Sequence, residues 1–135
     1  MKNKHEGFTL VEMVVVLGIF GVITAIAYPS YIDHILKSNR AAAAACLTEV
    51  SQTMERGYTA AFTYAGIALP ALQCIDDLGE RYNFSLANQA ARTFTAIASP
   101  VGVQTQDECG ALTLNQAGAR GANGGSDVAV VRKCW

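Results

Sequence analysis

Gly7-Phe8-Thr9-Leu10-Val11-Glu12-Met13-Val14-Val15-Val16-Leu17-Gly18-Ile19-Phe20-Gly21-Val22-Ile23-Thr24-Ala25-Ile26-Ala27-Tyr28 stands near the start of a 135-residue chain and carries one carboxylate in an otherwise apolar run. Within residues 8–28 only Thr9, Glu12, Gly18, Gly21 and Thr24 interrupt the large and small apolar side chains. About 20 such residues span a bilayer as a helix. Lys2 and Lys4 precede the run and its far flank is weakly charged, which favours an N-terminus on the cytoplasmic side. The competing reading is an ordinary secretory signal peptide, since Ala25-Ile26-Ala27 offers a small-x-small cleavage pattern. Glu12 counts against it, because a carboxylate at full membrane depth costs roughly 2.5 kcal/mol or more. The run is also longer than a signal-peptide core, and the helical pattern continues past the supposed cut.

Outward from this run, the pattern becomes amphipathic at Ser30. Ile32, Ile35, Leu36, Ala43, Cys46, Leu47, Val50 and Met54 fall on one helical stripe, with Asp33, Lys37, Arg40, Glu49 and Glu55 mostly outside it. The five alanines at 41–45 have the highest helix propensity and a slim surface. One helix is therefore expected over residues 8–56, ending at Gly57 and roughly 70 Å long. Pro29 removes one backbone donor and is expected to kink that helix without ending it. Gly18 and Gly21 are small residues that permit close helix approach.

Residues 58–79 lack a sustained period and read as a connecting loop with room for a short helical turn. Asp76 and Asp77 fall short of a calcium-loop pattern and read as a solvated turn. Strand candidates follow at 81–87 (Tyr82, Phe84, Leu86), 93–99 (Phe94, Ile97), 111–115 and 128–132, with a turn at Asn88-Gln89. Residues 118–126 are too glycine-rich for regular structure and are expected to be loop. Helix, loop and antiparallel meander together make an α+β fold, a long N-terminal helix packed on a small antiparallel β-sheet head.

The composition bounds the chemistry. Hydrophobic residues are 51% and charged residues 16%, with a formal net charge of -1. Leaving out residues 1–7 removes Lys2, Lys4 and Glu6, so 8 basic side chains face 10 acidic ones. That balance gives no global attraction to nucleic acid or anionic lipid. Cys46, Cys74, Cys109 and Cys134 have no C-x-x-C spacing and lie far in sequence from His5 and His34, so no metal site is expected. In a small exported domain four such cysteines read as two disulfides formed in an oxidising compartment, and spacing leaves three pairings open. No G-x-S-x-G, H-E-x-x-H or phosphate-binding glycine loop is present, and His34 reads as an exposed helix residue. No enzyme and no cofactor is expected.

Gly7-Phe8-Thr9-Leu10-Val11-Glu12, with the apolar segment behind it to Pro29 and Tyr31, resembles the G-F-T-L-[IV]-E junction of type IV pilins and pseudopilins. The resemblance implies that a membrane prepilin peptidase cuts between Gly7 and Phe8 and that Phe8 is N-methylated. Glu6 departs from the basic or polar residues that usually end such leaders. The resemblance further divides the chain into a cleaved leader (1–7), a transmembrane and polymerisation helix (8–29) and a globular head that includes the C-terminal half of the long helix (30–135). Glu12 becomes the fifth residue after cleavage, one turn from the new ammonium of Phe8. An opposite-charge pair near 4 Å is worth roughly 4 kcal/mol at an effective dielectric of about 20, comparable to the cost of burying the carboxylate. Glu12 is therefore expected to act in assembly, pairing with the Phe8 terminus of a neighbouring subunit. The expected disulfides are Cys46 with Cys74 and Cys109 with Cys134. The second pair resembles the C-terminal disulfide-bounded region of type IV pilins, and the ending Lys133-Cys134-Trp135 with Cys109-Gly110-Ala111-Leu112-Thr113-Leu114 resembles a minor-pilin subgroup.

The resemblance implies a structural subunit, favouring a minor one, of a type IV pilus that supports assembly, motility or adhesion. Its partners would be other pilin subunits in a homo- or hetero-polymer, the prepilin peptidase, the inner-membrane assembly machinery and the membrane before assembly. Its location would be the inner membrane, single-pass with the N-terminus cytoplasmic and the head periplasmic, and then the extracellular pilus. A second reading is a DNA-binding pilin for natural transformation, because the subgroup includes a DNA-uptake pilin. Arg92, Arg120, Arg132 and Lys133 are the candidate contacts for DNA phosphates. A third is a type II secretion pseudopilin, which shares the N-terminus.

Overall fold

The computed structural model describes residues 7–135, in the order α1 (Leu10–Ala61), α2 (Gln73–Leu78), β1 (Tyr82–Ala87), β2 (Thr95–Pro100), a 3-10 turn (Gly102–Gln106), β3 (Leu112–Asn115), β4 (Arg120–Ala122) and α3 (Val128–Cys134). Lys2, Lys4, His5 and Glu6 of the expected leader lie outside the described residues. The chain divides into two compact units, Met1–His34 and Ile35–Trp135.

In the first unit, α1 begins at a Thr9 cap. The Thr9 hydroxyl accepts from the Glu12 backbone N–H at 3.2 Å, and the Thr9 carbonyl accepts from Met13 N–H at 3.2 Å. This places Glu12 in the first turn, where the helix dipole favours a carboxylate. The helix continues through Pro29. Residues 7–31 are all exposed, and an 18-residue window with mean hydropathy 2.5 is 0% buried. So much uncovered apolar surface needs lipid or other helices around it.

In the second unit, Leu36, Arg40, Ala43, Cys46, Leu47, Val50 and Met54 line the buried face of α1. They meet a four-stranded antiparallel meander in the order β1-β2-β3-β4, with Ala87 opposite Thr95, Thr95 opposite Asn115, and Leu112 opposite Ala122. Strand alternation sends Tyr82 and Phe84, Ala96 and Ala98, and Leu112 and Leu114 to the core, joined by Phe94 and Ala122. Tyr82, Phe94, Leu47 and Met54 are among the largest fully buried side chains. Each such burial contributes about 1.5–3 kcal/mol before entropy is set against it. The expected class, a long helix packed on a small antiparallel sheet, is the one observed.

Five local expectations are corrected. The helix does not stop at Gly57 but runs to Ala61, where Phe62 turns left-handed (φ 54) and its N–H bonds to the Tyr58 carbonyl at 2.7 Å. Gly57 serves close packing instead, since a Cβ there would lie 2.9 Å from Ile67 Cδ1. Arg40 is buried, not on the polar face. In β2 the core positions belong to Ala96 and Ala98, because Ile97 stands an odd number of residues from Phe94 and points to the other face.

The glycine-rich stretch is not all loop. The Asn115 side chain accepts from Ala117 N–H at 3.0 Å and Ala119 N–H at 2.9 Å, closing a tight turn that returns Arg120–Ala122 to pair with β3 as β4. Residues 128–132 form no strand but belong to helix α3. Their β-branched character is overridden by the Asp127 cap, which accepts from Ala129 N–H at 3.4 Å, and by Arg132 and Lys133 in the last turn.

Candidate functional site

Three regions carry side chains with something to do beyond packing. The first is the start of α1. Gly7 and Phe8 precede the first helical turn, and Phe8 is 79% exposed. Glu12 is exposed on the apolar helix, one turn along from Phe8. A Cβ added at Gly18 or Gly21 would meet nothing within 4 Å, so that face is open to a neighbouring helix. Thr24 returns its hydroxyl to the Phe20 and Gly21 carbonyls at 2.9 and 3.0 Å, so its polar group is satisfied within the helix.

The second is a buried polar cluster within the head. Arg40 Nη1 donates to Asp107 Oδ1 at 2.6 Å, with the two side chains 10% and 1% exposed. Asp107 Oδ1 also accepts from the Cys109 backbone N–H at 2.9 Å, and Oδ2 from Gln104 Nε2 at 3.0 Å. The same Gln104 amide lies 3.0 Å from the Leu36 carbonyl and from the Tyr82 hydroxyl oxygen, while its Oε1 accepts from Asn39 Nδ2 at 3.1 Å. One glutamine thus ties α1, β1 and the 3-10 turn together. Burial, reinforced by the Asp107 charge, pushes the Tyr82 hydroxyl up to about 12. Burial likewise raises Tyr64 to about 12, helped by its 2.7 Å hydrogen bond to Glu55. The cluster is saturated with internal partners and reads as a structural clamp, not a reactive centre.

The third is the C-terminal edge. Cys46 is bonded to Cys74 and Cys109 to Cys134, which fixes the connecting segment to α1 and α3 to the turn before β3. Trp135 donates its indole N–H to the Gly121 carbonyl at 2.9 Å, and the Arg120 guanidinium lies 5.1 Å from the centre of the Trp135 ring. Lys133 Nζ is 2.8 Å from Glu108 Oε2, a hydrogen bond that holds the Glu108 carboxyl below its usual range.

The four candidate cations are therefore not equivalent. Arg120 on β4 and Arg132 and Lys133 on α3 belong to elements in contact. Arg92 sits apart in the β1–β2 connection, next to Ala91, whose carbonyl accepts from Tyr64 N–H at 3.3 Å. That connection and the β3–β4 turn share one end of the sheet, linked by Phe94 N–H to Gln116 Oε1 at 3.3 Å. Asp77 accepts from Gln73 at 2.9 Å, and among the described residues no three metal-ligating side chains converge.

Sequence reading did not single out Gln104 or Asp107, placed Arg40 on the polar face, and named Trp135 for its place in the C-terminal tail without its contact to Arg120. A signal for Arg40 existed, since it stands four residues after Leu36 and three before Ala43, on the helical stripe itself. Gln104 and Asp107 lie in an irregular turn that offers no period to read.

Comparison with known proteins gives two family matches. Residues 29–113 match the family described as "Type IV minor pilin ComP, DNA uptake sequence receptor", and residues 2–28 match the "Prokaryotic N-terminal methylation motif". The chain is 41% identical over 58 residues to the type IV major alpha-pilin of Moraxella bovis, covering 43% of this chain and 32% of that one. It is 44% identical over 41 residues to the type IV major fimbrial protein FimA of Dichelobacter nodosus, covering 30% and 26%. The chain thus spans a third or less of the length of these relatives. A type IV pilin structure from Shewanella oneidensis superposes with a TM-score of 0.55 at 26% identity, over 74% of this chain and 97% of that one. The non-core minor pilin PilV of Neisseria meningitidis gives 0.56 at 23% identity, over 70% and 93%, a likeness of fold.

Proposed function

This chain belongs to the family of the type IV minor pilin ComP, DNA uptake sequence receptor, and on that premise we propose that it is a minor subunit of a type IV pilus. In this reading residues 1–7 are the leader, residues 8–29 the transmembrane and polymerisation helix, and residues 30–135 the head. A prepilin peptidase cuts between Gly7 and Phe8 and methylates Phe8. The subunit waits in the inner membrane with its head periplasmic, then passes through the assembly machinery into an extracellular fibre. Its role is structural and not catalytic. Pro29 loosens the helix where it leaves the membrane-length segment.

The observation that carries the reading is the wholly exposed apolar half of α1 with Glu12 one turn from Phe8. In lipid or in a fibre core that carboxylate is stabilised only by a cation, and the processed Phe8 terminus of a neighbour supplies one. Glu12→Ala is expected to leave processing and membrane insertion intact while the subunit disappears from sheared pili. Its normal recovery in sheared pili would sink the assembly role of Glu12. A precursor of unchanged mass in cells with active peptidase would sink the processing step.

A second reading is favoured by the family match itself, whose description names a DNA uptake sequence receptor. Arg120, Arg132 and Lys133, on elements that touch, with Arg92 apart from them in the β1–β2 connection, are the groups available to DNA phosphates. A salt-dependent gel shift of double-stranded DNA by the full chain tests it, and no shift at low salt removes it. The pseudopilin reading has no comparable support.

A further inference from the structure

Arg120 is the first residue of β4, and its guanidinium carbon stands 5.1 Å from the centroid of the Trp135 ring. That ring is held at three points. Its indole N–H donates to the Gly121 carbonyl at 2.9 Å, its backbone N–H donates to the Val131 carbonyl at 3.0 Å, and the residue before it, Cys134, is bonded to Cys109. Trp135 is thereby fastened to the strand whose first side chain it carries.

The neighbouring cations sort themselves by what they touch. Lys133 is engaged by Glu108 at 2.8 Å. Arg132 lies in the last turn of α3, three residues before Trp135, the residue that caps the helix. Neither ion pair among the described residues involves Arg120 or Arg132. Both lie outside residues 29–113, the part of the chain that the family match covers.

We propose that Trp135 is a positioning residue for DNA binding: its ring holds Arg120 so that the guanidinium edge faces the phosphates of a duplex, with the Cys109–Cys134 bond keeping the ring in place. This rests on the DNA-receptor reading. The geometry suits the task because stacking occupies the face of a guanidinium and leaves its in-plane N–H groups, the ones that bind phosphate in pairs, directed outward. An arginine already held on a ring loses less side-chain freedom on binding than one that swings free. Orientation matters here because the chain, at net charge -1, has no bulk positive field to draw DNA in.

The test uses the full chain in detergent micelles and a mixed-sequence DNA duplex, with affinity read by anisotropy across a salt series. Arg120→Ala is expected to weaken binding about tenfold at low salt and to lower the slope of log affinity on log salt by about 1. Trp135→Ala is expected to weaken it comparably, and the Arg120→Ala/Trp135→Ala double variant no further than either alone, as for two groups acting as one. Trp135→Phe, which keeps a ring face, retains most of the affinity. Arg120→Lys, which keeps the charge without the planar stack, loses affinity while holding the salt slope. Arg81→Ala, which removes an exposed cation in the turn before β1, shifts affinity by less than about twofold, as surface charge removed away from a contact should.

The proposal is overturned by a Trp135→Ala chain that binds as the wild type does, or by losses from Arg120→Ala and Trp135→Ala that simply add. Trp135→Phe as weak as Trp135→Ala also overturns it, because the ring face would then not be what matters. A wild-type chain that binds no duplex even at low salt removes the receptor reading and this inference together. Wild-type binding indifferent to both residues removes the inference alone.

Discussion

Arg40, on the helix, and Asp107, in the turn before β3, form a 2.6 Å ion pair sealed inside the head, with Asp107 only 1% exposed. Removing one partner leaves the other charged and unpaired in a low-dielectric setting. Asp107→Asn is therefore expected to destabilise the folded head by about 3–5 kcal/mol, and Arg40→Met to do likewise. The pair Arg40→Met/Asp107→Leu should cost clearly less than the sum of the two. Urea unfolding with both disulfides intact measures this, and a simple sum would show that the two side chains act independently.

Tyr64 and Tyr82 both have hydroxyls raised to about 12 in the folded chain. A group whose folded pKa lies above its unfolded one contributes stability that is fully present below the unfolded value, about 10, and is lost as pH rises through the folded value. Stability should therefore fall between about pH 10 and pH 12. Tyr82→Phe and Tyr64→Phe should each remove part of that dependence while leaving behaviour below pH 9, roughly a unit under the unfolded value, free of it. Tyrosinate absorbance during an alkaline titration, paired with circular dichroism, follows both quantities.

The Cys109–Cys134 bond closes a separation of 25 residues and the Cys46–Cys74 bond one of 28, each worth about 3 kcal/mol by chain entropy. Cys109→Ser/Cys134→Ser should lower stability by about that amount and also release the only tryptophan from β4. Cys46→Ser/Cys74→Ser should cost a similar amount without moving that tryptophan. Trp135 emission at low denaturant separates the two, shifting to longer wavelength in the first variant and staying put in the second.

Gly121 lies so close to its neighbours that a Cβ would stand 2.5 Å from Thr113 Oγ1 and 2.8 Å from the Gly125 carbonyl. The second contact is backbone and cannot rotate away. Gly121→Ala is expected to destabilise by about 1–3 kcal/mol, by the usual cost of overpacking. Adding Thr113→Ala should recover only part of it, which thermal melts of the two variants would show.

The long helix, the meander and the membrane-length run were legible because each announces itself through a period or a length. What escaped reading depended on contacts that no local pattern encodes. Arg40 looks like surface until Asp107, 67 residues away, is placed against it. Residues 120–122 look like loop until the Asn115 side chain closes the turn that lets them pair. Val128, Val130 and Val131 favour a strand until Asp127 caps them as a helix. Of the candidate cations, sequence could name Arg92, Arg120, Arg132 and Lys133 but could not see that Glu108 neutralises one and an indole supports another.

The sheet has two outer strands, and each has a helix in contact with it: α2 with β1 and α3 with β4. β4 is three residues long and runs straight into a turn that pairs Ala122 with Gly125. An uncovered outer strand is an invitation for any other chain to add a strand of its own. A subunit that polymerises as proposed cannot leave two routes to self-association open, because copies crowded together would take the wrong one first. With a helix against each rim of its sheet, the head of such a subunit leaves self-association to the exposed apolar helix, so that under the proposed function crowding leads to an ordered thread and not to a tangle.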